Sequence, residues 1–274
     1  MTSIFIFSLL TCSREEEEKN PNSQRIISKE DELSKHISSQ HFNYFMSEND
    51  NVDTVLQEKY FSWLIKKLQI NVTEKINFYK FRDRKHIKNV TGFEINGFAE
   101  LGTLNIYGVW PCDFHETTHA LVTGYVGRSP ELFNEGIAVA HQTTLKNDEL
   151  VVGVAGGDFN LMAKYQLKHN KIPDLDTFLT LRSIFDVGEF VGYPVSGSFV
   201  SFLIETYGIT ELKDFIRSTP YGSDLKTIYG NFNQVYNTNM KNVWEDWKQF
   251  LNKYEPAIDV DKYYQDWYDK LMKK

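Results

Sequence analysis

The chain has 274 residues, 41% of them hydrophobic and 24% charged, which is the composition of a folded protein with a sizeable core. A formal net charge of −7 argues against the basic surface that a nucleic-acid binder presents. Two cysteines, Cys12 and Cys112, are too few for a disulfide framework. The first feature along the chain is the apolar run Ile4 to Leu10, too short to span a bilayer and of the size of a secretion-signal core.

That run ends in Leu9-Leu10-Thr11-Cys12, which resembles the lipobox of bacterial lipoproteins. The resemblance implies a signal peptide over residues 1–12, lipidation of Cys12, and a protein lipid-anchored to the outer membrane of the cell envelope. One feature departs from the pattern: Met1-Thr2-Ser3 carries no Lys or Arg where a signal has its positive start. Residues 13–27 include Glu15-Glu16-Glu17-Glu18 and nothing able to pack over Ser13 to Ser23, so they read as a disordered tether. The acidic run is similar to the surface-export signal of Bacteroidota lipoproteins, and equally fits a solvated linker. A single domain is expected over 28–274, with a sheet and the site helices over about 70–145 and a helical lobe over about 150–274.

Residues 28 to 50 are polar with scattered aromatics and weak periodicity. From Val52 to Leu68 apolar residues recur at three- and four-residue steps, which predicts a helix capped by Asp50 or Asp53 that acts as scaffold. Ile76 to Phe81 shortens towards alternation, and Gly92 to Ile95 and Gly97 to Val109 offer further extended pieces. Together they predict a small antiparallel sheet, with turns at Asn96-Gly97 and Gly102. Such a sheet would offer an edge along which an extended peptide can pair. Pro111 closes the sheet and Asp113 is placed to cap the next helix. Cys112, just outside it, reads as a small buried residue. Further helices are predicted from Glu131 to Ala140, Asp174 to Leu181, Tyr193 to Gly208, Thr210 to Arg217, Leu225 to Tyr236, Val243 to Tyr254 and Asp261 to Lys274. Ser196, Gly197 and Ser198 would let a neighbouring helix approach closely, and Trp244, Trp247 and Phe250 would form a buried stripe.

The helix after Asp113 carries His115-Glu116-Thr117-Thr118-His119, an H-E-x-x-H motif. Four-residue spacing on a helix puts both imidazoles on one face, one turn apart, as two nitrogen ligands of a tetrahedral zinc ion require. Glu116 sits where it can act on a metal-bound water. A catalytic zinc takes three protein ligands and one open position. No third histidine follows His119 at metzincin spacing; the candidate is Glu135, sixteen residues on, within Asn134-Glu135-Gly136-Ile137-Ala138.

This pattern resembles the gluzincin metallopeptidases, and the Asn-Glu-Gly-x-Ala run is similar to the membrane alanyl aminopeptidase branch and its smaller relatives. The resemblance covers about residues 75 to 255. It implies an α+β, thermolysin-like core: a small sheet, the H-E-x-x-H helix and a mostly helical C-terminal lobe. On it His115, His119 and Glu135 carry over as ligands of one Zn2+ per chain, and Glu116 as general base. Tyr193, fifty-eight residues after Glu135, carries over as the donor that stabilises the oxyanion. The branch's G-x-M-E-N amine-binding signature is absent; Gly97-Phe98-Ala99-Glu100-Leu101-Gly102 stands there, so an endopeptidase is expected rather than an aminopeptidase. The competing expectation is a non-catalytic surface lipoprotein that binds a protein or glycan and keeps only a vestigial or structural metal site.

Overall fold

The structure, a computed structural model, describes residues 33–273. The apolar run, Cys12 and the acidic segment lie outside the described residues. The fold is α+β, and its contacts divide it after Tyr125 into two compact units.

The unit ending at Tyr125 is built on a five-stranded sheet with strands β1 (Lys35–Ser38), β2 (Phe42–Met46), β3 (Ile76–Lys80), β4 (Gly97–Ala99) and β5 (Asn105–Gly108) in the order β1-β2-β3-β5-β4. The sheet is mixed, whereas the sequence pattern suggested antiparallel pairing. β2 pairs with β3 and β3 with β5 in parallel, and only the outer pairs are antiparallel. The parallel pairs follow from crossovers: helix α1 (Thr54–Leu68) joins β2 to β3, and helix α2 (Arg84–Thr91) lies between β3 and the last hairpin. Gly92 to Ile95 form no strand; Gly92 stops α2 with a left-handed φ of 89°.

Alternation gives the sheet two faces. One buries Phe42, Tyr44, Met46, Ile76, Phe78 and Ile106 completely. The other carries two rows that run across the strands in register. In the first, Phe45, Tyr79, Tyr107 and Phe98 stack ring on ring at centroid spacings of 4.8, 4.8 and 4.5 Å, with His36 edge-on at the β1 end. In the second, Ser38 Oγ donates to Asn43, Asn43 Nδ2 to Asn77, Asn77 Nδ2 to Asn105, and Asn105 Nδ2 to Glu100 Oε2 at 2.7 Å.

Helix α1 starts at Asp53, whose Oδ1 accepts from Leu56 N at 2.9 Å, and buries Leu56, Gln57, Tyr60, Phe61, Leu64 and Leu68. Its polar members grip helix α3 (Phe114–Tyr125) at its start. Gln57 Nε2 donates to Thr117 Oγ1 at 2.8 Å and Gln57 Oε1 accepts from Asp113 N at 3.0 Å. Tyr60 and Thr118 share a hydrogen bond of 2.6 Å, and the Tyr60 ring stacks on Phe114.

The unit from Val126 onward is helical apart from one hairpin, β6 (Thr143–Lys146) with β7 (Glu149–Val152). Its centre is the packing of α4 (Glu131–His141) against α7 (Glu189–Tyr207), with α5 (Phe159–Lys168) on the other side of α7. Glycines set that contact. A Cβ on Gly136 would meet Val200 Cγ2 at 2.4 Å, and one on Gly197 would meet Val139 Cγ1 at 2.2 Å. Pro194 lies inside α7 and has no N–H for the carbonyl four residues back; Gln166 Nε2 donates to that Phe190 carbonyl instead, at 2.9 Å. Short helix α6 (Leu175–Leu179) and helices α8 (Ile209–Ser218), α9 (Leu225–Tyr236), α10 (Met240–Lys253) and α11 (Val260–Met272) complete the unit. Trp244 and Trp247 are buried against Phe199, but Phe250 is only half-buried, against Phe202. No helix among the described residues is long and apolar enough to cross a membrane.

Candidate metal centre

The site begins with how α3 is aimed. Asp113 Oδ1 accepts from Glu116 N at 3.1 Å, so the aspartate caps the helix as its position suggests. Its carboxylate is buried between the helix and the sheet. Gly97 and Gly108 make the room: a Cβ on either would come within 3.0 and 3.2 Å of Asp113 Oδ2. Burial pushes the Asp113 carboxyl up, opposed by the Glu116 N–H and by His115 and His119. Thr117 and Thr118 return their hydroxyls to the backbone one turn earlier, onto Asp113 and Phe114, so neither competes for the space the histidines face.

One turn apart, His115 and His119 bring their Nε2 atoms to 3.0 Å, with ring centroids 4.6 Å apart and planes at 78°. Both rings are buried, as are Glu116 and Glu135. Glu135, in the second turn of α4, completes the group. One ligand atom from each of His115, His119 and Glu135 lies within 4.8 Å of the others. Among the described residues these three are the group of histidine, cysteine, aspartate and glutamate side chains that could hold a metal ion. The donors in a tetrahedral zinc site are separated by about 3.3 Å. Two nitrogens and a carboxylate oxygen at this spacing, buried, suit zinc in kind and number, and leave a fourth position for a non-protein ligand.

Tyr193 is fully buried on α7, the helix packed on the Glu135 helix, with Phe185 edge-on at 6.1 Å. Cys112 is buried and outside the ligand group; burial pushes its thiol up, away from the reactive thiolate. Glu100 is committed to the β4–β5 turn, where its carboxylate accepts from Asn105 and Thr103.

Sequence reading did not find two further groups. Gln57 positions α3 from a place 60 residues before Thr117, for which no local pattern exists. Glu131 lies one turn before Glu135, and Arg128 Nη2 meets its Oε1 at 3.3 Å. Burial and the Glu135 charge push the Glu131 carboxyl up, while Arg128 opposes them. The four-residue spacing from Glu135 was the available signal. Arg128 is itself held by the Tyr221 ring, 3.7 Å from its guanidinium carbon. No family model and no curated protein matches this chain.

Proposed function

We propose that this chain is a zinc-dependent peptide hydrolase of gluzincin type, acting outside the cytoplasm from a lipid anchor at Cys12. The observation that carries the reading is the buried His115–His119–Glu135 group with Glu116 set between the two histidines in sequence. When bound, zinc would lower the pKa of a water to about 7 and polarise the substrate carbonyl. Glu116 accepts a proton at its carboxylate and delivers it to the nitrogen of the leaving amine. The Tyr193 phenol donates a hydrogen bond to the carbonyl oxygen, where negative charge builds during attack. Arg128, paired with Glu131 one turn before Glu135, offsets part of the negative charge that gathers there. The substrate pairs as an extended strand with β4, whose Gly97 lies against Glu116: a Cβ there would come within 3.3 Å of Glu116 Cγ. Absence of the G-x-M-E-N signature, with Gly97-Phe98-Ala99-Glu100-Leu101-Gly102 in its place, favours an endopeptidase over an enzyme that captures a free amino terminus.

The test is metal analysis followed by turnover. Purified protein is expected to hold about one zinc per chain and to cleave unstructured peptides whether or not their amino terminus is blocked. A protein that folds but takes up no zinc would overturn the reading. The anchor is tested separately: Cys12→Ala should move the protein from the membrane fraction to the soluble fraction.

A further inference from the structure

The face of the sheet that carries the two rows is packed at its centre, where Tyr107 is buried with Phe81, Ile87 and Ile95. It reaches the β4 edge in two unlike, partly exposed side chains, Phe98 in β4 and Glu100 just after it. Phe98 ends the aromatic row and Glu100 ends the amide row. Among the described residues β4 is the edge strand, hydrogen-bonded to β5 alone in the sheet order. Bonds from Glu100 N to Asn105 O and from Val109 N to Asn96 O fix its alternation. Asn96, Phe98 and Glu100 direct their backbone groups to β5, so Gly97 and Ala99 direct theirs to the open edge.

Ring spacing in the first row equals the separation of neighbouring strands, about 4.8 Å. Each ring therefore stacks because its strand is the next one over, and a further strand on β4 would bring the next ring to the outer side of Phe98. Phe93 stands edge-on to Phe98 at 6.2 Å. For an antiparallel addition, the residue opposite Phe98 falls at a non-hydrogen-bonded position, where facing side chains are closest. Two residues earlier along the added strand, the side chain falls opposite Glu100. There the row of amide donors ends on the half-buried Glu100 carboxylate; Asn105 and Thr103 donate to it but leave its negative charge uncompensated, and a cation on the added strand would offset that charge.

We propose that β4 reads an extended peptide by these two residues, taking the pattern basic–x–aromatic, with the aromatic side chain on Phe98 and the basic one on Glu100. The specificity belongs to the peptide-hydrolase reading above and rests on it. It names the substrate class: cationic, aromatic-bearing extended segments. A chain with net charge −7 would attract such segments.

Binding can be read without turnover. Fluorescence anisotropy of doubly blocked peptides with central Lys-Thr-Phe, Lys-Thr-Leu, Ala-Thr-Phe, Lys-Thr-Ala and Phe-Thr-Lys is measured on the full chain, metal-free and as zinc-loaded Glu116→Gln. Lys-Thr-Phe should bind tightest, each alanine replacement should weaken it roughly two- to tenfold, and the reversed order should bind no better than the alanine peptides. Phe98→Leu should erase the preference for Phe over Leu in the peptide, and Glu100→Gln the preference for Lys over Ala. Indifference to sequence, indifference to order, or no binding would overturn the proposal. So would a preference that survives in both variants, or sedimentation showing that the edge is occupied by a second copy. Ordered binding without hydrolysis would overturn the hydrolase reading alone, and hydrolysis without this preference would overturn the specificity alone.

Discussion

At the scale of single residues, Glu116 and the three ligands separate cleanly by what their loss should do. Glu116→Gln keeps the size and the α3 start but would remove the proposed base. Zinc content is expected to stay near one per chain while kcat falls by about 10² to 10⁴. Glu135→Ala and His119→Ala should instead lose the metal, seen as zinc stoichiometry well below one after dialysis against a weak chelator. Equal turnover in the Glu116→Gln protein would remove the glutamate from the chemistry whatever the metal does. His115 and His119 were legible as a candidate pair because four-residue spacing on a helix is itself geometry, whereas Glu135, sixteen residues on, was reached through the family resemblance. Glu131 was not legible as a partner of Arg128 and Glu135, since a helix carboxylate at that spacing is more often a solvated one. Its burial became visible only in the fold.

At the scale of elements, the α4–α7 contact depends on two missing side chains. Gly136→Ala would press a methyl onto Val200 and the Ser196 carbonyl, and should cost about 1–3 kcal/mol in a urea unfolding curve. Gly230→Ala is the matched control. Gly230 is exposed within α9 with nothing within 4 Å of a new Cβ, so alanine should stabilise by about 0.5–1 kcal/mol. A second element-level prediction concerns Glu58 of α1, which ties down the β1–β2 turn through Ser39 and His41. Burial works against its charge, but those hydrogen bonds outweigh it and hold the carboxyl below its ordinary value. A depressed carboxyl stabilises above its unfolded value and loses that contribution as pH falls through its folded value. Melting temperatures of the wild type and Glu58→Gln should therefore differ near neutrality and converge in acid. Most C-terminal helices were readable from apolar spacing, and Leu225–Tyr236 falls where the spacing puts it. Strands β1 and β2 were missed for a physical reason. Phe42, Tyr44 and Met46 alternate as buried positions, but Phe45 on the opposite face belongs to the aromatic row and hides the alternation. Parallel pairing was also illegible, because register across a crossover leaves no local mark.

At the scale of the whole molecule, metal and fold should be linked. Zinc at a free concentration about 100 times its Kd adds about 2.7 kcal/mol to the stability of the form that binds it. Chelation should lower the melting temperature by several degrees, and Glu135→Ala should abolish that response. A melting curve indifferent to chelator in a protein that holds zinc would mean that the unfolded chain binds it equally well.

The grip of α1 on α3 also bears on how the centre is acquired. His115 and Glu135 are separated by only 20 residues, yet the start of α3 is set by Gln57 and Tyr60, more than fifty residues upstream. A fragment over 100–145 would contain all the ligands and none of that long-range restraint, so it should bind zinc more weakly than the full chain. Gln57→Leu, though remote from the ligands in sequence, should weaken zinc binding by roughly tenfold in a competition titration. During synthesis, high affinity would arise only once the first unit has closed on itself. An unfolded chain would then carry the motif past competing metals without holding one.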